Sequence, residues 1–169
     1  DLNRVGIAGM DIQCASVYRF FKRQDFYKVA TFTTPVDIRF QIPSIVEQYY
    51  GLSTFLPKTS NGDSKPPCKF IEDYVESFEG KLLLIAGGLE DYTPASTLRL
   101  VDALQAANKD FDMLFLPNGI SNPTGYTIRR EWDYLVRNLQ QIEPPKNFQL
   151  KLFWEHAKSE LDELFEAAD

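Results

Sequence analysis

The feature that most constrains this sequence is the apolar run Lys81-Leu-Leu-Leu-Ile85. Near-continuous apolar character over so few residues is typical of a strand that is covered on both faces, as in a parallel sheet. Parallel neighbours must be joined by crossover connections, and these are usually helices. The run therefore predicts an α/β fold in which segment 81–85 lies inside the sheet.

Three further segments have strand character, and helical patterns alternate with them. Together with 81–85, the predicted strands are 4–8, 29–33 and 111–116. Helical spacing of apolar residues, or a capping signal, predicts helices that begin near positions 14, 44, 93 and 128. The stretch 59–67, rich in Ser, Gly, Asn, Lys and Pro, is predicted to be a loop. Strands that alternate with helices indicate a mostly parallel sheet with right-handed crossovers.

Composition restricts the class of protein. With 169 residues, 44% of them hydrophobic, the chain is long enough for one globular domain with its own core. The net charge is −6 and the basic residues are scattered, so nucleic acid is not an expected partner. No apolar run reaches the roughly 18 to 20 residues that span a bilayer, and no signal pattern precedes the first strand. A strand so close to Asp1 suggests an internal fragment or a processed product.

Residues 143–169 are predicted to form an extension of the main domain, 1–142. After Pro144-Pro145, an apolar stripe runs along an otherwise acidic helical segment. The stripe consists of Trp154, Ala157, Leu161, Leu164, Phe165 and Ala168. Two interpretations remain open: this helix docks onto the chain's own core, or it binds a second subunit.

Five short motifs stand in the same order, and near the same spacing, as in a known family. They are Asp1–Ile7, Gly87–Asp91, Ala107–Asp112, Leu116–Asn118 and Arg129–Tyr134. This set resembles the prolyl oligopeptidase family, and most of all its dipeptidyl peptidase IV-like bacterial branch. The resemblance covers about residues 1–150. It implies the C-terminal half of an α/β-hydrolase peptidase domain, mostly a parallel sheet flanked by helices, without the first strands or the usual N-terminal β-propeller.

The resemblance also places the catalytic triad, and all three positions are substituted. The nucleophile turn of the family reads Gly-x-Ser-x-Gly-Gly, whereas this chain has Gly9-Met-Asp11-Ile-Gln-Cys14. Asp11 therefore stands at the serine position, where the backbone N–H of Ile12 would contribute to the oxyanion hole. The acid position is Glu90, and the histidine position is Ser121. A hydroxyl nucleophile and an imidazole base are both missing from these positions.

Three more positions are carried over from the family's substrate pocket. Tyr49 matches a tyrosine that lines the proline pocket, and Ile45 stands where a second tyrosine is expected. Tyr92 replaces an asparagine that would bind a substrate carbonyl. The one histidine of the chain, His156, lies on the C-terminal helical segment and is read as a surface or packing residue. Two cysteines, Cys14 and Cys68, are read as plain thiols, and no metal or cofactor is expected.

Three functional hypotheses follow. The first is a pseudoenzyme that acts in structure, dimerisation or peptide binding, because acyl transfer needs both an activated nucleophile and a base. Its partners would be the missing half of the hydrolase domain or a propeller, a second copy, or peptides. The alternatives are a hydrolase that uses Asp11 as nucleophile, and a serine peptidase that uses Ser16 or Ser121. Localisation is left open, since proteins of the family are secreted, periplasmic or cytoplasmic.

Overall fold

One sheet of four parallel strands forms the centre of the molecule. The computed structural model describes residues 1–10, 14–35, 71–89, 93–119, 123–150 and 152–153. The strands are β1 (Val5–Met10), β2 (Tyr27–Thr33), β3 (Lys81–Gly87) and β4 (Asp112–Leu116), and they lie side by side in sequence order. All three strand pairs are parallel. As predicted, β3 is an interior strand with six of its seven residues buried.

In the described part of the chain, three α-helices and a 3₁₀ helix cover the sheet. The α-helices are α1 (Cys14–Lys22), α2 (Thr93–Ala106) and α3 (Gly125–Leu135), and a 3₁₀ helix spans Ile71–Ser77. Helix α3 continues as a π-helical stretch, Val136–Gln140, which ends at Gln141 in the left-handed conformation, with φ of 57°. A terminal left-handed residue is a common way to stop a helix.

The larger core lies on the face of the sheet covered by α1, α2 and the 3₁₀ helix. Phe20 of α1 is its centre: the ring lies 5.8 Å from the Phe32 ring of β2 and 5.6 Å from the Phe78 ring, centroid to centroid. Leu100 and Leu104 of α2 complete this cluster. Buried aromatic rings in tilted contact contribute more stability than their buried area alone would give.

The opposite face carries a smaller core, formed mainly by α3 and its π-helical extension. Its buried members are Val29, Leu83, Ile85 and Tyr134, with Leu135 and Leu139 packed beside them. These two leucines leave little space above β1. A Cβ at Gly6 would lie 2.8 Å from Leu139 Cδ1 and 3.4 Å from Leu135 Cδ2. The glycine in the first motif thus lets the helix approach the strand closely.

The predicted elements are confirmed where the structure describes them, with small shifts at their ends. Strand β1 begins and ends later than the expected 4–8, and β2 begins two residues before position 29. The predicted helix near 44, the predicted loop 59–67 and the C-terminal helix from Trp154 lie outside the described residues. The division at residue 142 therefore stays a prediction.

Candidate functional site

The carboxyl ends of the four strands meet at one edge of the sheet. Met10 of β1 is in register with Thr33 of β2, and Gly87 of β3 is in register with Leu116 of β4. Ligands of open α/β sheets usually bind at this edge. Positions 11, 90 and 121 each follow one of these strands within five residues. The strand ends that lead to the three triad-equivalent positions therefore share an edge.

Main-chain hydrogen bonds join the segments that follow β3 and β4. The backbone N–H of Gly88 donates to the carbonyl of Leu116 over 2.8 Å, and that of Leu89 donates to the carbonyl of Gly119 over 3.1 Å. We call these two bonds the loop latch. The two bonds join the residues just before position 90, the acid position, to the residues just before position 121, the histidine position. Both bonds are between main-chain groups, so they do not depend on the side chains at 90 and 121.

The segment after β3 lies so close to the segment after β4 that position 88 must be a glycine. A Cβ at this position would lie 2.7 Å from the carbonyl oxygen of Pro117, which is closer than van der Waals contact allows. The obstacle is backbone, so a side chain could not be accommodated by a rotamer change. The second glycine of the Gly87-Gly88 pair is thus explained by a backbone contact.

The segment after β2 is tied to both β3 and α2. Thr34 has a φ of 43°, and its N–H donates to the carbonyl of Ile85 over 2.7 Å. The buried hydroxyl of Ser96, in the first turn of α2, donates to the carbonyl of Pro35 over 2.9 Å. Hydrogen bonds thus fix the described segments that follow β2, β3 and β4 at this edge.

Helix α3 starts beside the same edge, and its first turn is held by a capping box. Thr124 Oγ1 accepts a hydrogen bond from Thr127 N over 3.1 Å, and Thr127 Oγ1 accepts one from Thr124 N over 2.8 Å. Such reciprocal bonds satisfy two backbone donors that the helix itself leaves unpaired. The start of α3 is thereby fixed.

Next to this start lies a cavity of about 280 Å³. It is lined by Met10, Thr33, Ile85, Pro123, Thr127, Ile128, Glu131 and Trp132. These walls are mostly apolar, and Glu131 is the one ionisable residue among the described residues that line the cavity. The Thr31 hydroxyl, fully buried in β2, donates a 2.6 Å hydrogen bond to Glu131 Oε1. A distance of 2.6 Å lies in the short part of the range of O–H···O hydrogen bonds.

A second cavity, of about 530 Å³, lies near the other end of α3. Its lining includes Asp112 at the start of β4, and Arg129 and Asp133, whose side chains form a largely buried ion pair at 3.6 Å. Burial, together with the Asp112 carboxylate, raises the pKa of the Tyr134 hydroxyl above its ordinary value. Since β4 begins at Asp112, this cavity reaches the amino end of the sheet, away from the triad-equivalent positions.

The predicted site residues themselves lie outside the described part of the chain. They are Asp11, Ile12, Ile45, Tyr49, Glu90, Tyr92 and Ser121, and the distances between them stay predictions. The structure adds the Thr31 and Glu131 pair, which sequence reasoning missed. A signal was present: Glu131 lies three residues after Ile128 and four before Leu135, within the predicted apolar stripe of α3.

The described residues contain neither a metal-ligand cluster nor a helix able to span a membrane. No cluster of three or more His, Cys, Asp or Glu side chains suited to hold a metal ion occurs in this part of the chain. Nor is any of its helices both long and apolar enough to cross a membrane.

Solved structures with the same arrangement identify the fold. The chain resembles dipeptidyl peptidase 4 of Porphyromonas gingivalis with a TM-score of 0.67, at 22% identity, over 82% of this chain and 20% of that chain. The fold is that of an α/β-hydrolase. A puromycin-hydrolyzing peptidase of Mycobacterium tuberculosis has a TM-score of 0.63, at 18% identity, over 90% of this chain and 24% of that chain. Acylaminoacyl peptidase of Pyrococcus horikoshii follows with a TM-score of 0.61, at 16% identity, over 87% and 26% of the two chains.

These likenesses confirm the predicted α/β-hydrolase fold class. The three peptidases are of the prolyl oligopeptidase family, the family that the five motifs resemble. This α/β-hydrolase chain spans between 20% and 26% of their length. No family model matches the sequence, and no curated protein matches it significantly.

Proposed function

We propose that this chain is the C-terminal part of a prolyl oligopeptidase-type serine peptidase domain that no longer cleaves peptides. The proposal rests on one observation: the backbone at the carboxyl edge is held in place by hydrogen bonds, while the side chains expected for catalysis are absent from the sequence at the triad-equivalent positions. The loop latch holds the segments after β3 and β4 together at the carboxyl edge of the sheet. The sequence nevertheless has Asp11, Glu90 and Ser121 where the family has serine, aspartate and histidine.

Loss of both the nucleophile and the base removes the chemistry of acyl transfer. A carboxylate at position 11 has no hydroxyl proton to give up, and a serine at position 121 cannot serve as a base near neutral pH. Removal of either group alone from a serine hydrolase lowers the rate by several orders of magnitude. An ester formed on Asp11 would also persist, because no imidazole is expected there to activate water.

The remaining role is structural. Among the described residues, β1 pairs only with β2, and no described strand lies along its other side. A strand edge of this kind is a template for another strand. We infer that β1 pairs with the remaining strands of the peptidase domain, or with a second copy where those strands are missing.

Turnover and covalent labelling test the loss of activity. The protein is incubated with a chromogenic dipeptide substrate, with a fluorophosphonate probe that labels activated serines, and with a haloalkane that esterifies reactive aspartates. We expect no product above the buffer rate, no labelled serine and no ester detectable by mass spectrometry. An active serine peptidase of the same fold is the positive control for the substrate and the fluorophosphonate, and a hydrolase with an aspartate nucleophile is the positive control for the haloalkane.

The variants Asp11→Asn and Ser121→Ala, checked for folding by circular dichroism, complete the experiment. Steady product release that either change abolishes would overturn the proposal. A labelled serine would instead support a serine peptidase with a relocated nucleophile. An ester at Asp11 followed by turnover would support a hydrolase with an aspartate nucleophile.

A further inference from the structure

The cavity between β1 and α3 combines an apolar wall with one carboxylate. We call it the Trp132 pocket, after the indole that lines it beside Met10, Ile128 and Glu131. Its volume of about 280 Å³ is just below the roughly 300 to 1,000 Å³ of sites for drug-sized ligands. A ligand of six to ten heavy atoms is therefore the size that this space suits.

Glu131 gives the pocket its charge. Its carboxylate accepts the Thr31 hydroxyl and, within the described residues, forms no ion pair. An ionised carboxylate offers about four acceptor positions, so one hydrogen bond leaves most of them for another donor. In an apolar wall, a carboxylate binds a cation more strongly than it would in open solvent, because less water competes.

Trp132 supplies the second element of cation recognition. Its side chain is 56% exposed, although it lies on the helix that covers this face of the sheet, and Met10 opposite is 40% exposed. The face of an indole ring attracts an ammonium group through its quadrupole, and tryptophan does so more strongly than other aromatic residues. An exposed indole next to a carboxylate thus favours an organic cation over an anion or a neutral molecule.

We propose that the Trp132 pocket binds a small organic ammonium ion with an apolar body, such as an alkyl or arylalkyl amine in its protonated form. The ammonium group pairs with Glu131 and contacts the indole of Trp132, and the apolar body packs on Met10 and Ile128. This inference is argued from the described lining residues alone, none of which is a triad-equivalent position, and it does not use the loss of peptidase activity.

Benzylammonium is the probe, and Trp132 is the reporter. The chain has two tryptophans, so the Trp154→Phe variant leaves Trp132 as the single source of indole fluorescence. We expect a saturable change in emission with benzylammonium, with a dissociation constant in the millimolar range. Benzyl alcohol, which has the same shape and no charge, should bind about tenfold more weakly.

Glu131→Gln in the same background is the deciding variant. Its amide oxygen can still accept the Thr31 hydroxyl, so the fold should persist, while benzylammonium affinity should fall about tenfold. Glu143→Gln is the matched control, since it removes a carboxylate outside the pocket and should leave the affinity unchanged. Equal binding of the alcohol and the amine, an unchanged affinity in Glu131→Gln, or no saturable response to benzylammonium would each overturn the proposal.

Discussion

Two glycines of the motifs, Gly88 and Gly6, are constrained by steric contacts of different kinds. Gly88 has the carbonyl of Pro117 against it, whereas Gly6 has only the ends of two leucine side chains and a more distant carbonyl. The two glycines occur in two of the five motifs, yet they differ in what a methyl group would meet. A methyl group at position 88 would therefore force the backbone to move, whereas a methyl group at position 6 could be accommodated by a rotation of the Leu139 side chain.

We therefore expect Gly88→Ala to destabilise the protein more than Gly6→Ala. The Gly88 variant must displace backbone and lose or lengthen the bond to Leu116, which should cost about 1 to 3 kcal/mol of unfolding free energy. In the Gly6 variant, Leu139 can change rotamer, so the cost should be about 1 kcal/mol or less. Urea unfolding of both variants measures the difference, and equal losses would contradict the assignment of Gly88 to a backbone clash.

The Thr31 and Glu131 pair shows what a residue-level reading of the sequence could not supply. The two residues are one hundred positions apart, and although Glu131 lies in the motif Arg129–Tyr134, Thr31 lies in none of the five motifs. The helical spacing of Ile128, Trp132, Leu135 and Leu139 predicted a helix, although Trp132 of this set is exposed. It could not show that a threonine of β2 would satisfy the acid at position 131, because this depends on how far the helix lies along the strand.

Helices and strands were predicted correctly from the sequence where the apolar residues have a clear periodicity or form a continuous run. The run 81–85 predicted β3, and apolar spacing from Ile128 to Leu139 predicted α3. The 3₁₀ helix Ile71–Ser77 was missed because its acidic and aromatic residues follow neither helical nor strand periodicity. The capping box at Thr124 was also missed, since threonine takes the place of the usual Glu or Gln at its third position.

For α3 as an element, we expect the first turn to depend on Thr124. The change Thr124→Ala removes the acceptor for the Thr127 N–H and should lower the unfolding free energy by about 0.5 to 2 kcal/mol. Thr124→Ser keeps a hydroxyl in the same place and should retain most of the stability. Thermal or urea unfolding tests this, and a loss in the serine variant as large as in the alanine variant would argue against the cap.

At the scale of the whole molecule, the described elements cover the two faces of the sheet unequally. One face has the aromatic cluster around Phe20, and the other has, among the described residues, a smaller cluster under α3 and its π-helical extension. Exposed Met10 and Trp132 line the cavity on that second face. The proposed function adds further strands of the peptidase domain, or a second copy, along the side of β1 on which no described strand lies.

We expect the isolated chain to self-associate through β1, and a charge on that strand to prevent it. Ala8 is exposed in the middle of β1, so Ala8→Lys adds a charge that opposes pairing of two such edges. The molar mass from light scattering should fall to that of a monomer. Ala106→Lys places the same charge at the exposed end of α2 and should leave association unchanged. A wild-type monomer at high concentration would contradict this prediction.

The loop latch has a consequence for how such a domain changes over evolutionary time. Its donors and acceptors are peptide groups of Gly88, Leu89, Leu116 and Gly119, which persist whatever reactive side chains stand nearby. Point mutations can thus replace reactive side chains near the latch one by one without unfolding the backbone frame that holds the two segments. Under the proposed function, substitution of side chains alone could then restore activity, because this frame does not depend on them.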